Sequence, residues 1–158
     1  MEYRLNDDVI NAIVRLSAGY PHFTHLLALK SAESAIGDGK EVVGNADLEK
    51  ALSLAVQDAE GTLKTVYDDS VRSKSSPMYE EILAAAASLD TEEFNAAALR
   101  DAIEKRTGAP ISQGSLQNYF QRLMSRDRAT ILRRVGQGVY RFEDPRMRSY
   151  VRIVNQIF

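Results

Sequence analysis

The chain has 158 residues, 44% of them hydrophobic and 27% charged, a composition that suits one ordinary soluble domain or two small ones with a real core. It contains no cysteine, which excludes disulfides, thiolate metal sites and cysteine nucleophiles, and its net charge of −2 lacks the overall basic excess that would by itself announce nucleic-acid binding. The opening residues Met1-Glu2-Tyr3-Arg4-Leu5-Asn6-Asp7-Asp8 are polar and acidic where a signal peptide starts basic and turns apolar. No apolar stretch approaches the roughly 18 residues of a membrane span, so a cytoplasmic protein with no membrane partner is expected.

Asn6-Asp7-Asp8 offers an N-cap and early acidic residues for a helix with Val9, Ile10, Ile13, Val14 and Leu16 on one face, which Gly19 ends. Pro21 suits the first turn of a second helix carrying Phe23, Leu26, Leu27, Ala28, Ala32, Ala35 and Ile36 and stopping at Gly37-Asp38-Gly39. After the short segment Glu41-Val42-Val43, Asn45 or Asp47 can cap a long helix from Leu48 toward Val71, which Gly61 bends or weakens. The polar, serine-rich residues 73–76 ahead of Pro77 read as a linker, giving a helical region 1–72 and a second domain 77–158. The four alanines 84–87 are a strong helix former that also permits close helix approach.

The second domain predicts helices Met78–Leu89, Ala96–Arg106 and Ser112–Arg126, with Glu93-Phe94-Asn95 extended and a turn at Gly108-Ala109-Pro110. Thr130–Val135 and Val139–Phe142 then read as two strands around a Gly136-Gln137-Gly138 tip, followed by a helix from Pro145 capped by Asp144. Three helices and a hairpin are the order of a winged helix-turn-helix domain. The fold class is mainly α: a helical, lid-like subdomain followed by a winged helix with a small β-hairpin.

The charge partition follows this division. Residues 1–76 hold 8 Lys and Arg against 12 Asp and Glu, and residues 77–158 hold 12 against 10. From Ser115 onward there are nine arginines and only Asp127, Glu143 and Asp144, a local balance of +6. In helix-turn-helix proteins the second helix of the motif enters the major groove, and the helix after Ser112 offers Gln113, Ser115, Gln117, Asn118, Gln121, Arg122 and Arg126 if Leu116, Tyr119 or Phe120, and Leu123 face the core. Amides pair with adenine edges and arginines with guanine or phosphate, and no carboxylate interrupts the helix before Asp127 to repel a phosphate backbone. The hairpin adds Arg128, Arg133, Arg134, Gln137 and Arg141 as a wing. Double-stranded DNA is the expected partner.

Ser17-Ala18-Gly19-Tyr20-Pro21-His22-Phe23-Thr24-His25-Leu26-Leu27, the long third helix and the winged helix ending Tyr140-Arg141-Phe142-Glu143-Asp144-Pro145 resemble the C-terminal portion of AAA+ ATPases, in the origin-recognition and replication-initiator branch and its bacterial relatives. The resemblance covers nearly the whole chain and implies a helical lid and winged helix that follow a nucleotide-binding core. His22 stands where that family places the sensor-2 arginine, so the resemblance gives it a nucleotide-sensing role. It also implies the upstream core as a partner and ATP and Mg as cofactors of the parent protein; self-association is a separate expectation.

Catalytic machinery is absent from the sequence. There is no Gly-x-x-x-x-Gly-Lys-Ser/Thr loop, and Gly37-Asp38-Gly39-Lys40 lacks both its spacing and its hydroxyl residue. His22 and His25 have no third ligand for a metal, and no Ser/His/Asp set is identifiable. A non-enzymatic chain is expected, with no cofactor or metal of its own. Two alternatives to DNA binding are a winged-helix module that contacts protein and controls assembly of the parent ATPase, and a free-standing transcription regulator.

Overall fold

The computed structural model describes residues 3–58, 61–72 and 76–158. The fold is mainly helical with a small three-stranded antiparallel sheet. The chain divides into two compact units, one of Met1–Ala59 with Arg152–Phe158 and one of Glu60–Val151. No helix among the described residues is long and apolar enough to cross a membrane.

The first unit holds strand β1 (Arg4–Leu5), helices α1 (Asp7–Ser17) and α2 (Pro21–Gly37), strand β2 (Val42–Val43) and helix α3 (Asn45–Asp58). Asn6 stands at the N-cap of α1 without a side-chain cap bond, so the acidic first turn, Asp7 and Asp8, supplies the favourable charge at that end. The helix closes one residue earlier than Gly19 suggests, because Ala18 itself takes the left-handed conformation and Gly19 follows it there. Val9, Ile13, Leu16, Phe23, Leu27, Leu48, Ala51 and Leu52 form the core. Strands β1 and β2 pair in parallel, Arg4 with Val42 and Leu5 with Val43.

Asp47 caps α3 from within it. Its carboxylate accepts from the Gly44 N–H at 3.0 Å while its own N–H bonds the Gly44 carbonyl, which is the half of a capping box that a glycine N-cap allows. Asp47 is buried and also accepts from Ser34 Oγ at 3.2 Å and Lys40 Nζ at 3.1 Å. The Gly44 N–H above all, with Lys40 and Ser34, holds this carboxyl below its usual range against the opposing effect of burial.

The second unit begins with α4 (Gly61–Val71) and continues through α5 (Met78–Ser88), β3 (Phe94–Asn95), α6 (Ala96–Thr107), α7 (Gln113–Leu123), a 3-10 turn at Arg126–Arg128, β4 (Leu132–Gly136), β5 (Val139–Phe142) and α8 (Arg146–Val154), which it holds through Val151. The single long helix expected from Asn45 to Val71 is thus two helices, and α4 groups with the second unit. Of the expected linker, residues 73–75 lie outside the described residues. Helix α5 is central: Tyr79, Ile82, Leu83 and all four alanines 84–87 are buried, small side chains letting neighbours approach closely. Asn95 caps α6 and Ser112 caps α7, each side chain accepting an N–H from three residues on, at Ala98 and Ser115. Asp144 caps α8 by accepting the Arg146 N–H at 2.9 Å.

The sheet runs β3-β5-β4, antiparallel throughout. In β4 and β5, Leu132 opposes Phe142, Arg133 opposes Arg141 and Arg134 opposes Tyr140, and a bulge before Gly136 precedes the tip. One face carries Leu132, Tyr140 and Phe142 into the core with Phe94, where Tyr140 stacks on Phe120 of α7 at 4.3 Å between ring centroids.

Candidate nucleic-acid interface

Helix α7 turns Leu116, Phe120 and Leu123 inward, all fully buried. Of the two aromatic residues that sequence leaves as alternatives for the core, Phe120 takes it, and Tyr119 is half-buried with its hydroxyl 3.4 Å from Ser76 Oγ. Gln113, Ser115, Asn118, Gln121 and Arg122 are exposed and Gln117 is half-buried. The expected recognition helix therefore presents amides, a hydroxyl and a guanidinium to solvent, with no carboxylate along its length. Helix α7 ends at Leu123, so Arg126 lies beyond it in the 3-10 turn, exposed.

The arginines do not form one patch. Arg128, expected on the wing, is tied into the fold: Nη1 donates to the carbonyls of Ser70 at 2.9 Å and Arg72 at 2.8 Å, and the guanidinium lies 3.9 Å over the Tyr79 ring. Strand alternation then separates the rest. Arg134 lies opposite Tyr140 and so belongs to the sheet face that packs on α7, which we call the front. Arg133 and Arg141 oppose each other on the back, where like charges repel. Two carboxylates offset that repulsion, Glu143 at 4.0 Å from Arg133 and Glu92 at 3.6 Å from Arg141. Arg134 spends only its Nε, on the Gly136 carbonyl at 2.9 Å, and Gln137 is exposed at the tip.

The remaining late arginines also serve the fold. Arg146 chelates Asp144, with Nη2 to Oδ2 at 2.8 Å, and this bond holds the Asp144 carboxyl below its usual range. Arg148 is buried and donates to the Leu89 carbonyl, while Arg152 is buried and donates to the Arg15 carbonyl at 2.5 Å. The local balance of +6 read from sequence thus overstates the field available to a polyanion. Arg122, Arg126 and Arg134 are the members of that group whose guanidiniums are exposed and face no carboxylate partner among the described residues. Sequence reading missed Tyr79 as a partner of the site and weighed Tyr119 only as an alternative for the core. Arg122 Nη1 donates to the buried Tyr79 hydroxyl at 3.0 Å, a bond that favours the charged guanidinium and fixes its direction.

His22 is exposed on the first turn of α2, its ring meeting Phe23 edge-on at 5.3 Å. Lys40, in the Gly-Asp-Gly-Lys segment, has its ammonium committed to Asp38 and Asp47, each at 3.1 Å. With the Lys40 ammonium held by two carboxylates, that segment does not fit a triphosphate.

No protein-family model, curated protein or solved structure matches the chain.

Proposed function

We propose that this chain binds duplex DNA through the exposed face of α7 and the front of the β4–β5 ribbon, without catalysing a reaction. The observation that carries the reading is the sorting of charge in the second unit: α7 offers Gln113, Ser115, Asn118, Gln121 and Arg122 with no carboxylate, and Arg134 of the ribbon lies on the same side of the sheet. A groove-binding helix needs such donors to reach base edges and phosphates, and a carboxylate there would oppose approach.

The sorting also sets the size of the expected electrostatic signature. Each phosphate contact contributes about −0.9 to the slope of log K against log salt, so Arg122, Arg126 and Arg134 together give a slope of about −3. All nine late arginines acting on phosphates would give about −8. Fluorescence anisotropy with a labelled duplex at several salt concentrations measures the slope, and undetectable binding at low salt rejects the reading. By its resemblance to AAA+ ATPases, we further place this DNA-binding segment after a nucleotide-binding core, where ATP and Mg would be held. A His22→Ala change that leaves ATP turnover of such a parent unaltered would remove the sensing role assigned to His22.

A second reading, that the chain docks another protein, draws on the first unit. A cavity of about 280 Å³ there is lined by Asp8, Ala12, Asn45, Leu48, Glu49 and Phe158, and Val14 is 60% exposed. Light scattering separates the readings: a concentration-dependent oligomer in a chain that binds no duplex favours protein docking.

A further inference from the structure

Helix α7 has two unlike edges. Phe120 marks the edge that meets the sheet, where its ring stacks on Tyr140. Gln113 and Gln117 lie beside it, seven and three residues before Phe120, and Gln121 continues their row four residues after Gln117. Tyr119 marks the other edge, where its ring meets Tyr79 of α5 at 5.0 Å, nearly perpendicular at 84°. Ser115, Asn118, Tyr119 and Arg122 follow one another there at helical spacing and line a shallow cavity of about 220 Å³.

Each of the four lining side chains carries a hydrogen-bond donor, and none is a carboxylate. Ser112 Oγ donates to Ser115 Oγ at 2.9 Å and accepts the Ser115 N–H at 3.1 Å, which leaves the Ser115 hydroxyl hydrogen free for an acceptor. The Asn118 amide has no side-chain hydrogen bond among the described residues, so its N–H₂ is also free. Arg122 spends one N–H on Tyr79, a side chain 2% exposed whose other face carries Arg128, so the remaining guanidinium donors are held in a fixed direction. A site in which every side chain can donate, none carries negative charge and one is a fixed guanidinium suits a tetrahedral oxyanion better than a cation.

We propose that the cavity of Ser115, Asn118, Tyr119 and Arg122 is a phosphate subsite, filled by a backbone phosphodiester when DNA is bound, so that this edge of α7 grips while Gln117 and Gln121 on the other edge face bases. The source of the phosphate rests on the duplex-binding reading above; the donor set does not. Phosphate contacts fix register and carry no sequence information, whereas base contacts discriminate.

The test uses the full chain and two unrelated duplexes over a range of salt. Arg122→Gln lowers the magnitude of the salt slope by about 0.9 on both duplexes, Arg122→Lys restores it, and Gln121→Ala leaves the slope alone but changes the ratio of the two affinities. A wild-type slope in Arg122→Gln, or a loss confined to one duplex, overturns the subsite while the duplex-binding reading stands. If the unaltered chain binds no duplex, that reading fails and inorganic phosphate decides the subsite. Saturable shifts of the Asn118 side-chain amide and Arg122 Nε resonances, with the Asn118 shift lost in Arg122→Gln, sustain it, and their absence from the unaltered chain overturns it.

Discussion

The front and back of the β4–β5 ribbon carry the same kind of side chain and do different things with it. On the back, Arg133 and Arg141 face each other across the strands and each has a carboxylate within 4.0 Å. On the front, Arg134 shares its side with the packing surface for α7 and, among the described residues, meets a backbone carbonyl and no carboxylate. Arginine content therefore says little about the field that a ligand meets; what matters is which acceptors the fold has already brought to each guanidinium. Carried through the second unit, the comparison separates arginines that hold the fold from arginines left for a polyanion.

The most severe way to break that comparison is at Arg128, the clearest member of the first group. Its two charge-assisted bonds to the Ser70 and Arg72 carbonyls and its place over Tyr79 stabilise the junction of α4 with α5 and the 3-10 turn. Arg128→Ala is expected to cost about 3 kcal/mol in urea unfolding, with the salt slope of duplex binding unchanged. A stable Arg128→Ala protein with a reduced slope would move Arg128 into the other group.

Asp47 sharpens the same distinction in the first unit, where a buried charge serves the fold alone. Asp47→Ala removes the side-chain cap of α3 and strands the Gly44 N–H, an expected loss of about 2 kcal/mol at neutral pH. The sign of its pH dependence follows from the lowered carboxyl pKa. The unfolded carboxyl titrates near about 3.9, so the contribution is fully present above that pH and is lost as pH falls through the lower folded value. The gap between wild type and Asp47→Ala in thermal melts should hold constant from pH 7 to about 5 and close in strong acid. A gap that widens on acidification contradicts this account.

Smaller effects are expected at the ribbon itself. Arg134→Gln should lower the magnitude of the salt slope by about 0.9, whereas Arg133→Gln and Arg141→Gln should leave it within error. Equal losses at all three positions would erase the distinction between front and back.

Much of the fold is legible in sequence because its punctuation is chemical. Pro21, Asn45, Gly108, Ser112 and Asp144 mark helix ends within a residue or two of where they fall. Two-residue strands are another matter: Arg4–Leu5 and Val42–Val43 are too short for alternation to register, and their pairing spans much of the first unit. Phe94-Asn95 reads as extended, but nothing local tells that β5 is its partner. The polar face of α7 follows from helical periodicity alone, which fixes Leu116 and Leu123 inward and leaves only Tyr119 against Phe120 open. The fate of each arginine is illegible, because it depends on distant acceptors such as Leu89, Ser70 and Glu92. A residue type carries no record of them.

Another feature hidden from sequence lies between α7 and the β4–β5 ribbon. Ala129 and Thr130, consecutive and neither of them glycine, take left-handed backbone at φ of 59° and 52°, just where the chain leaves the 3-10 turn after α7 and enters β4. For a β-branched residue that conformation is a true outlier, held here by neighbours that include the bond from the Thr130 N–H to the Ser125 carbonyl. Ala129→Gly relieves the strain at the first position. The relief, about 1 kcal/mol for a left-handed L-residue, is partly offset by the greater freedom of glycine in the unfolded chain, leaving a net gain of about 0.5 kcal/mol. The same turn sets the offset between α7 and the front of the ribbon, so glycine there should weaken duplex binding even as the thermal midpoint rises. A rise in midpoint with unchanged affinity would show that the strained pair serves only to close the turn, and that α7 and Arg134 keep their relation through the Phe120–Tyr140 stack alone.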